Sequence, residues 1–143
     1  ECRPDIVWDL NIFPYPFCDN TFDEIHAYNI LEHIGQQGDY KTFFKQFQEF
    51  WRILKPNGLF CGCVPKWNSV FAWADPSHSR IIQKETFWFL DQEIYKEKVT
   101  TGDMTDFRDI YKEDFELVYD DSEFKENVYF FGLKCHKPSR YNK

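Results

Sequence analysis

The sequence lacks long hydrophobic runs, internal repeats and low-complexity stretches. No apolar run reaches the roughly 18–20 residues that cross a bilayer, which excludes a membrane span. The 143 residues are nevertheless 43% hydrophobic and 20% aromatic, which is enough apolar material for a core. We therefore expect a single domain, residues 1–143, and exclude a linker or a disordered tail.

Positive charge is also scarce. The chain has 24 acidic and 17 basic residues, for a formal net charge of -7. Proteins that bind nucleic acids by neutralising phosphates normally present a basic stripe. Here the basic cluster is confined to the C-terminal tail: Lys134, Lys137, Arg140 and Lys143. The charge therefore argues against a nucleic-acid partner.

Cysteine is too irregular for a disulfide framework. The count is odd and the spacings fit no common pattern: Cys2, Cys18, Cys61, Cys63 and Cys135. We therefore expect reduced thiols in a cytoplasmic protein. Cys61 and Cys63 share one face of a predicted strand, and His26 or His136 would complete a zinc site. No second cysteine or histidine pair supports that site, so we predict no metal.

Hydrophobic periodicity predicts alternating strands and helices. The clearest helix begins near Asp39 and ends at Pro56 and Gly58. Its apolar residues recur every three or four positions: Tyr40, Phe43, Phe44, Phe47, Phe50, Trp51 and Leu54. A second helix is expected from residue 84 to about residue 98. Short apolar segments predict strands at residues 5–9, 22–28, 59–64, 115–119 and 128–135.

This order of elements is typical of an α/β protein. Strands and helices alternate first, and the last two predicted strands are joined by a short charged turn. Such a pattern favours a mostly parallel sheet with a C-terminal antiparallel hairpin at its edge.

Five motifs occur in an order that resembles a known family. They are Asp-Leu at 9–10, Phe-Pro-Tyr-Pro-Phe at 13–17, Asp-Asn-Thr-Phe-Asp-Glu-Ile at 19–25, Leu-Glu-His-Ile at 31–34 and Trp-Arg-Ile-Leu-Lys-Pro-Asn-Gly at 51–58. In this order and spacing they resemble small class I S-adenosylmethionine-dependent methyltransferases of the methyltransferase type 11 kind. The resemblance implies a Rossmann-like sheet, S-adenosylmethionine as cofactor and methyl transfer to an acceptor, for which we expect a small molecule.

The sequence departs from that family at its beginning. The family binds its cofactor through a Gly-rich turn after strand one and an acid at the end of strand two, and neither is present here. We therefore expect an N-terminally truncated sheet that lacks the first two strand-helix units, with residues 5–10 paired to residues 23–28 or lying at an edge. The alternative is a non-enzymatic, methyltransferase-derived remnant that acts as an interaction module.

The resemblance also assigns candidate site residues. Asp9 and Leu10 would meet the adenine of the cofactor, and three further cofactor-binding residues would line the methyl-transfer crevice: Asn29, Leu31 and Glu32. Candidate bases for the acceptor's proton are His33, which follows the same strand, and a pair in the loop after the next strand: Asp75 and His78. Trp67 and Trp73 would form an aromatic lid over this loop.

An incomplete sheet would expose a strand edge. In the family the strands run in the order three, two, one, four, five, seven, six, so the strand at 23–28 would lose its inner neighbour. An open apolar edge pairs with another chain unless charge, proline or a covering segment blocks it. We therefore expect a homodimer.

Overall fold

The computed structural model describes residues 3–123 and 127–141, and this part of the chain forms one sheet with helices. The strands are β1 (Phe22–Tyr28), β2 (Leu54–Pro65), β3 (Phe115–Asp120) and β4 (Val128–Cys135). The helices are α1 (Tyr40–Ile53), α2 (Val70–Ala74), α3 (Lys84–Trp88) and α4 (Gln92–Thr101). A short 3-10 turn, Leu31–His33, follows β1.

The strands lie in the order β1-β2-β4-β3. β1 and β2 are parallel, whereas β4 is antiparallel to both β2 and β3. This confirms the predicted α/β sheet with a C-terminal antiparallel hairpin. It is also the order of strands four, five, seven and six in the family that the motifs resemble, so β1 and β2 correspond to strands four and five.

The predicted strand at residues 5–9 is wrong. Residues 3–21 contain no strand, and hydrogen bonds such as that from the Ile12 amide to the Asp9 carbonyl (2.9 Å) close local turns instead. The guanidinium of Arg52 holds this segment against α1 by donating to the carbonyl oxygens of Phe17 (2.7 Å) and Tyr15 (3.1 Å). The segment therefore neither pairs with β1 nor extends the sheet.

Helix α1 forms as its periodicity predicts. The Asp39 side chain caps it by accepting from the Thr42 amide. Most of the predicted stripe is buried: Phe43, Phe44, Phe47, Phe50 and Leu54. Phe47 and Phe50 contact Phe60 of β2, and Leu54 is the first residue of β2 and not part of the helix. Tyr40 is an exception, because it lies in the exposed first turn and contacts Phe107 at 5.3 Å between ring centres.

The first part of β2 requires glycine at position 58. A Cβ there would lie 2.9 Å from the Asp23 carbonyl oxygen and 3.0 Å from that of Lys55, which is too close for any side chain. Asn57, directly before it, has a φ of 62°. The ammonium group of Lys55 donates to both oxygens of the Asp23 carboxylate, which fixes the start of β1 against the start of β2.

The single helix predicted from residue 84 to about 98 is two helices in the structure. The chain leaves α3 after Trp88 and re-enters a helix at Gln92. The Asp91 carboxylate accepts from the amides of Glu93 (2.8 Å) and Ile94 (3.4 Å), so it caps the first turn of α4. A cap inside the apolar pattern divides the helix there.

The apolar face of α1 predicts a strong response to mutation of Phe47, whose side chain is fully buried. We expect Phe47→Asp to abolish cooperative thermal unfolding, because it buries a charge without a partner. Phe47→Leu keeps the site apolar and should cost about 1 kcal/mol. Circular dichroism melts of both variants test this. A soluble Phe47→Asp chain that unfolds cooperatively would show that this face is not the core.

The C-terminal tail predicts acid sensitivity. Asp114 is fully buried and accepts from the Arg140 guanidinium (2.7 Å), the Arg140 amide (2.8 Å) and the Gln92 amide (3.1 Å). Burial acts to raise the pKa of Asp114, but these bonds outweigh it and hold the pKa below its ordinary value. The carboxylate therefore stabilises the fold above the unfolded pKa of about 4, and this contribution is lost as the pH falls through the folded pKa.

We expect Asp114→Asn to lower the free energy of unfolding by about 3 kcal/mol at pH 7 and by about 1 kcal/mol less than that at pH 3. Urea titrations at both pH values give the two differences, with Asp120→Asn as an exposed control. Equal losses at the two pH values would contradict this assignment.

Candidate functional site

The carboxyl ends of the parallel strands β1 and β2 lie at the same edge of the sheet, and the loops that follow them meet there. The Glu32 carbonyl oxygen, after β1, accepts from the backbone amides of Ser79 (2.8 Å) and Arg80 (3.2 Å), after β2. The Gln37 amide donates in turn to the Ser79 carbonyl oxygen at 2.8 Å. Main-chain hydrogen bonds therefore hold the two loops together.

The three predicted catalytic residues lie together at this junction. The Ser77 hydroxyl donates to the Asp75 carboxylate at 2.6 Å and lies 3.1 Å from Nδ1 of His33. The rings of His33 and His78 meet edge to face, with 4.8 Å between their centres. Nε2 of His78 is 3.8 Å from the Asp75 carboxylate. Sequence reasoning missed Ser77, which joins His33 to Asp75.

These contacts fix the tautomers of both histidines. The proton of the Ser77 hydroxyl is committed to Asp75, so we assign the bonding proton to Nδ1 of His33, which donates to Ser77. Nδ1 of His78 faces the Ala72 carbonyl oxygen at 3.3 Å and must donate as well. In the neutral rings Nε2 then keeps a lone pair, free to accept a proton or bind a cation.

Asp75 is ionised in this arrangement. Hydrogen bonds from the Ser77 hydroxyl and the Ser77 amide (2.8 Å) lower the pKa of the Asp75 carboxyl below its ordinary value. The hydrogen-bonded chain of imidazole, hydroxyl and carboxylate therefore ends on a negative charge at Asp75.

Glu32 is the most unusual residue of the site. Its side chain is 2% exposed, and neither carboxylate oxygen has a hydrogen-bond partner among the described residues. Burial raises the pKa of Glu32, against the opposing effect of His33 and His78. One ligand atom from each of these three residues lies within 4.8 Å of the others. The resemblance indicates Glu32 as a cofactor contact, whereas its side chain lies beside the histidines.

A cavity of about 470 Å³ opens beside His78. Trp67 and Trp73 line it, and the indole N–H of Trp73 donates to the Trp67 carbonyl oxygen at 2.8 Å. Both rings are more than half exposed, so they form a wall rather than a closed lid. Arg80 also lines the cavity; its buried guanidinium donates to Gln46 at 3.2 Å. Sequence reasoning missed Arg80.

The predicted cofactor residues occupy two connected segments. Asp9 is exposed, and its carboxylate accepts from the Asn11 amide (2.9 Å) and side chain (3.0 Å), which lower its pKa. The Asn11 side-chain oxygen accepts from the Gly35 amide at 3.3 Å, which connects this turn to the loop after β1. The carbonyl oxygen of Leu10, which is half-buried, accepts from Tyr15.

Asn29 and Leu31 lie in the loop after β1 but face different surroundings. Asn29 is exposed at the end of the strand with a φ of 54°, and its side-chain oxygen is 3.7 Å from Sγ of Cys63. The Leu31 side chain is fully buried in the core, so it offers no surface to a ligand.

The cysteine site considered from sequence does not assemble in the described chain. His26 contacts Tyr28 and Glu24, each at 2.9 Å, and His136 contacts Glu116 at 2.7 Å. Within residues 3–123 and 127–141, the group with metal-ligand spacing is Glu32, His33 and His78. None of the four described cysteines forms a disulfide, and Cys2 lies outside the described residues.

No helix within the described ranges is both long and apolar enough to cross a membrane.

Comparison with known proteins shows a partial family match and a similar fold. Residues 6–62 match the family model described as a methyltransferase domain. A search of curated proteins gave no match. A SAM dependent methyltransferase from Archaeoglobus fulgidus has a similar structure, with a TM-score of 0.53 and 13% sequence identity. The alignment covers 90% of this chain and 66% of the Archaeoglobus chain. A protein described as a "putative sarcosine dimethylglycine methyltransferase" from Galdieria sulphuraria gives a TM-score of 0.39 and 14% identity over 85% of this chain and 56% of its own.

The chain thus spans just under two thirds of the first of these structures and little more than half of the second. The family match covers β1, α1 and most of β2, together with Glu32 and His33. Together with the family match, the structural similarity to the Archaeoglobus fulgidus protein supports the resemblance that the motifs indicated: this chain has a fold similar to that of a SAM dependent methyltransferase.

Proposed function

We propose that this chain forms part or all of an S-adenosylmethionine-dependent methyltransferase whose acceptor is a small molecule. The observation that carries the proposal is the cluster of His33, Asp75 and His78 at the carboxyl ends of β1 and β2, beside a cavity of about 470 Å³. A cavity of this size is in the range of small-molecule sites. Methyl transfer needs an acceptor held in line with the donor, and often a base for the acceptor's proton.

Each residue has a distinct part in this proposal. The acceptor enters between Trp67 and Trp73, and His78 faces it from the cavity wall. His33 takes the acceptor's proton on Nε2, and the positive charge that it gains is stabilised through Ser77 by Asp75. Bound S-adenosylmethionine would supply the electrophilic methyl group.

The residues present fit only one end of that cofactor. Asp9 has an exposed, ionised carboxylate that can bind the adenosine. Asn29 has an exposed side-chain amide that can do the same. Leu10 lines an apolar groove beside them. The described residues provide no Gly-rich turn for the methionine carboxylate. Hydrogen bonds to charged groups contribute about 1.5–3 kcal/mol each, so the loss of two costs a hundredfold or more in affinity.

We therefore expect weak but specific binding of S-adenosylhomocysteine to this chain, with a Kd on the order of 1 mM. In a titration followed by ¹H–¹⁵N NMR, the amides of Leu10, Asn11 and Asn29 should shift. Asp9→Asn should weaken binding about tenfold. Asp23→Asn, at the opposite end of β1, is the matched control and should not. Shifts confined to other regions, or none at 5 mM ligand, about five times the expected Kd, would overturn the assignment.

A second observation favours the interaction-module alternative and a homodimer. In the described chain β1 pairs only with β2, so its other edge has no strand partner. Beside that edge lies an apolar groove of about 430 Å³ lined by Trp8, Ile25 and Ile30, among others. We propose that two copies associate through this edge.

A cytoplasmic location of the protein stays a prediction.

The dimer has a direct test in light scattering at micromolar concentration. We expect a dimer for the parent chain and a monomer for Ile30→Lys, because Ile30 is exposed and lines the groove. Val118→Lys places the same charge on exposed β3, at the opposite edge of the sheet, and should leave the dimer intact. A monomeric parent chain, or equal effects of the two variants, would contradict association through β1.

A further inference from the structure

The three residues Glu32, His33 and His78 have an arrangement that the fold does not explain. A buried carboxylate is normally stabilised by a cation or by several hydrogen-bond donors. Both oxygens of Glu32 lack such donors, and Glu32 forms no ion pair with a lysine or arginine among the described residues. The nearby Arg80 directs its guanidinium to Gln46 and to the ring of Phe43 instead. Glu32 is therefore a buried acceptor without a donor.

Both histidines present an acceptor atom as well. Nδ1 of His33 contacts the hydroxyl and the carbonyl oxygen of Ser77 at 3.1 Å and 3.3 Å, and Nδ1 of His78 faces the Ala72 carbonyl oxygen at 3.3 Å. Metal-binding histidines are held in the same way, with the second ring nitrogen donating to a carbonyl or carboxylate partner. The Ser77 hydroxyl is itself bonded to Asp75, so an acidic residue stands behind His33.

Negative charge accumulates at the same point. The ionised Asp75 carboxylate lies 3.8 Å from Nε2 of His78, a ring nitrogen that carries a lone pair when the imidazole is neutral. One ligand atom each of Glu32, His33 and His78 lies within 4.8 Å of the others, and the Asp75 carboxylate lies beside His78. A cation among these three ligand atoms would give Glu32 the partner that it lacks among the described residues.

We infer that Glu32, His33 and His78 bind a divalent first-row transition metal such as zinc. Two imidazole nitrogens and one carboxylate oxygen are a donor set that suits zinc, iron and cobalt rather than magnesium or calcium. Three protein ligands leave open positions for water or a substrate, as in catalytic zinc sites. Sequence reasoning did not identify these three ligands, because the zinc site that it considered was built on Cys61 and Cys63.

The site must contract when the metal binds. Bonds to zinc are about 2.0–2.2 Å long, so its ligand atoms lie about 3.3 Å apart in a tetrahedral site. Here the three ligand atoms lie within 4.8 Å of one another. The His33 side chain is exposed and can turn toward the metal, whereas Glu32 and the main-chain bonds of its carbonyl oxygen stay fixed.

A metal here would face the cavity that His78 lines. In the metal-bound chain Nε2 of His33 would be a ligand, so the metal would take over the task of the base. It would bind an oxygen of the acceptor and lower the pKa of that group, whose proton would pass to water. This role rests on the proposed methyl transfer. Binding of the metal itself does not, and it is measured without cofactor or acceptor.

Calorimetry of the chelator-treated chain with ZnCl₂ tests the inference. We expect one equivalent of zinc to bind with a Kd below 10 μM, roughly -7 kcal/mol. CoCl₂ should give the visible absorption bands of a four- or five-coordinate complex, and MgCl₂ should give no binding. Absence of zinc binding up to about 100 μM would overturn the inference.

The variants separate this site from adventitious binding. His33→Asn and His78→Asn keep a donor near the Nδ1 position but remove Nε2, and each should weaken zinc about 100-fold. Glu32→Gln should do the same while leaving the metal-free chain at least as stable, because it removes a buried charge without a partner. His26→Gln, an exposed histidine paired with Glu24, is the matched control and should bind zinc normally.

Thermal melting supplies a readout that does not depend on the calorimeter. Zinc at 100 times the parent Kd should stabilise the parent chain and His26→Gln by about 2.7 kcal/mol, and Glu32→Gln by only about 0.4 kcal/mol. Equal stabilisation of all variants, or loss of binding in His26→Gln alone, would show that the zinc binds elsewhere. Failure of S-adenosylhomocysteine to bind would overturn the proposed cofactor site but not this result.

Discussion

The hydrogen bonds of the Glu32 carbonyl oxygen are the constraint on which the site depends. β1 and β2 are parallel neighbours, so the loops after them emerge at the same edge of the sheet. Parallel pairing alone would leave those loops free to diverge. The amides of Ser79 and Arg80 close the gap by donating to Glu32, and the rings of His33 and His78 then meet 4.8 Å apart. That contact therefore joins the two loops that carry His33, Asp75 and His78.

The same contact explains why the Glu32 side chain is buried. Its carbonyl oxygen faces the loop after β2, and the 3-10 turn directs the side chain toward the two histidines. A buried carboxylate of this kind costs stability unless a proton or a cation neutralises it. Functional sites commonly carry such a cost in stability. Glu32 differs in this respect from Asp114 and Glu49, buried acids that are each paired with an arginine.

The fold was predictable wherever one pattern dominated. The aromatic stripe of α1 and the two strands of the hairpin gave clear periods, and β1 was predicted at its observed bounds, Phe22–Tyr28. The strand predicted at residues 5–9 does not form, because a short apolar run does not specify a strand when no partner strand lies beside it. The division between α3 and α4 was not predicted, because the apolar pattern continues across Asp91. The capping side chain of Asp91 nevertheless begins a new helix there.

The grouping of the site was predictable, but its orientation was not. The rule that loops after parallel strands share one edge placed His33, Asp75 and His78 together from sequence alone. Sequence has no comparable rule for the direction of a side chain within a loop. The inward turn of Glu32, the bridging hydroxyl of Ser77 and the buried guanidinium of Arg80 all depend on tertiary contacts.

The tautomers of the histidines provide the most direct test of this account. Long-range ¹H–¹⁵N NMR near pH 8 distinguishes a protonated Nδ1 from a protonated Nε2. The account predicts a proton on Nδ1 in His33 and His78, held by Ser77 and Ala72, and on Nε2 in His26, which donates to Glu24. If His33 and His78 instead carry the proton on Nε2, or average between both forms as free imidazole does, the two loops do not form the proposed site.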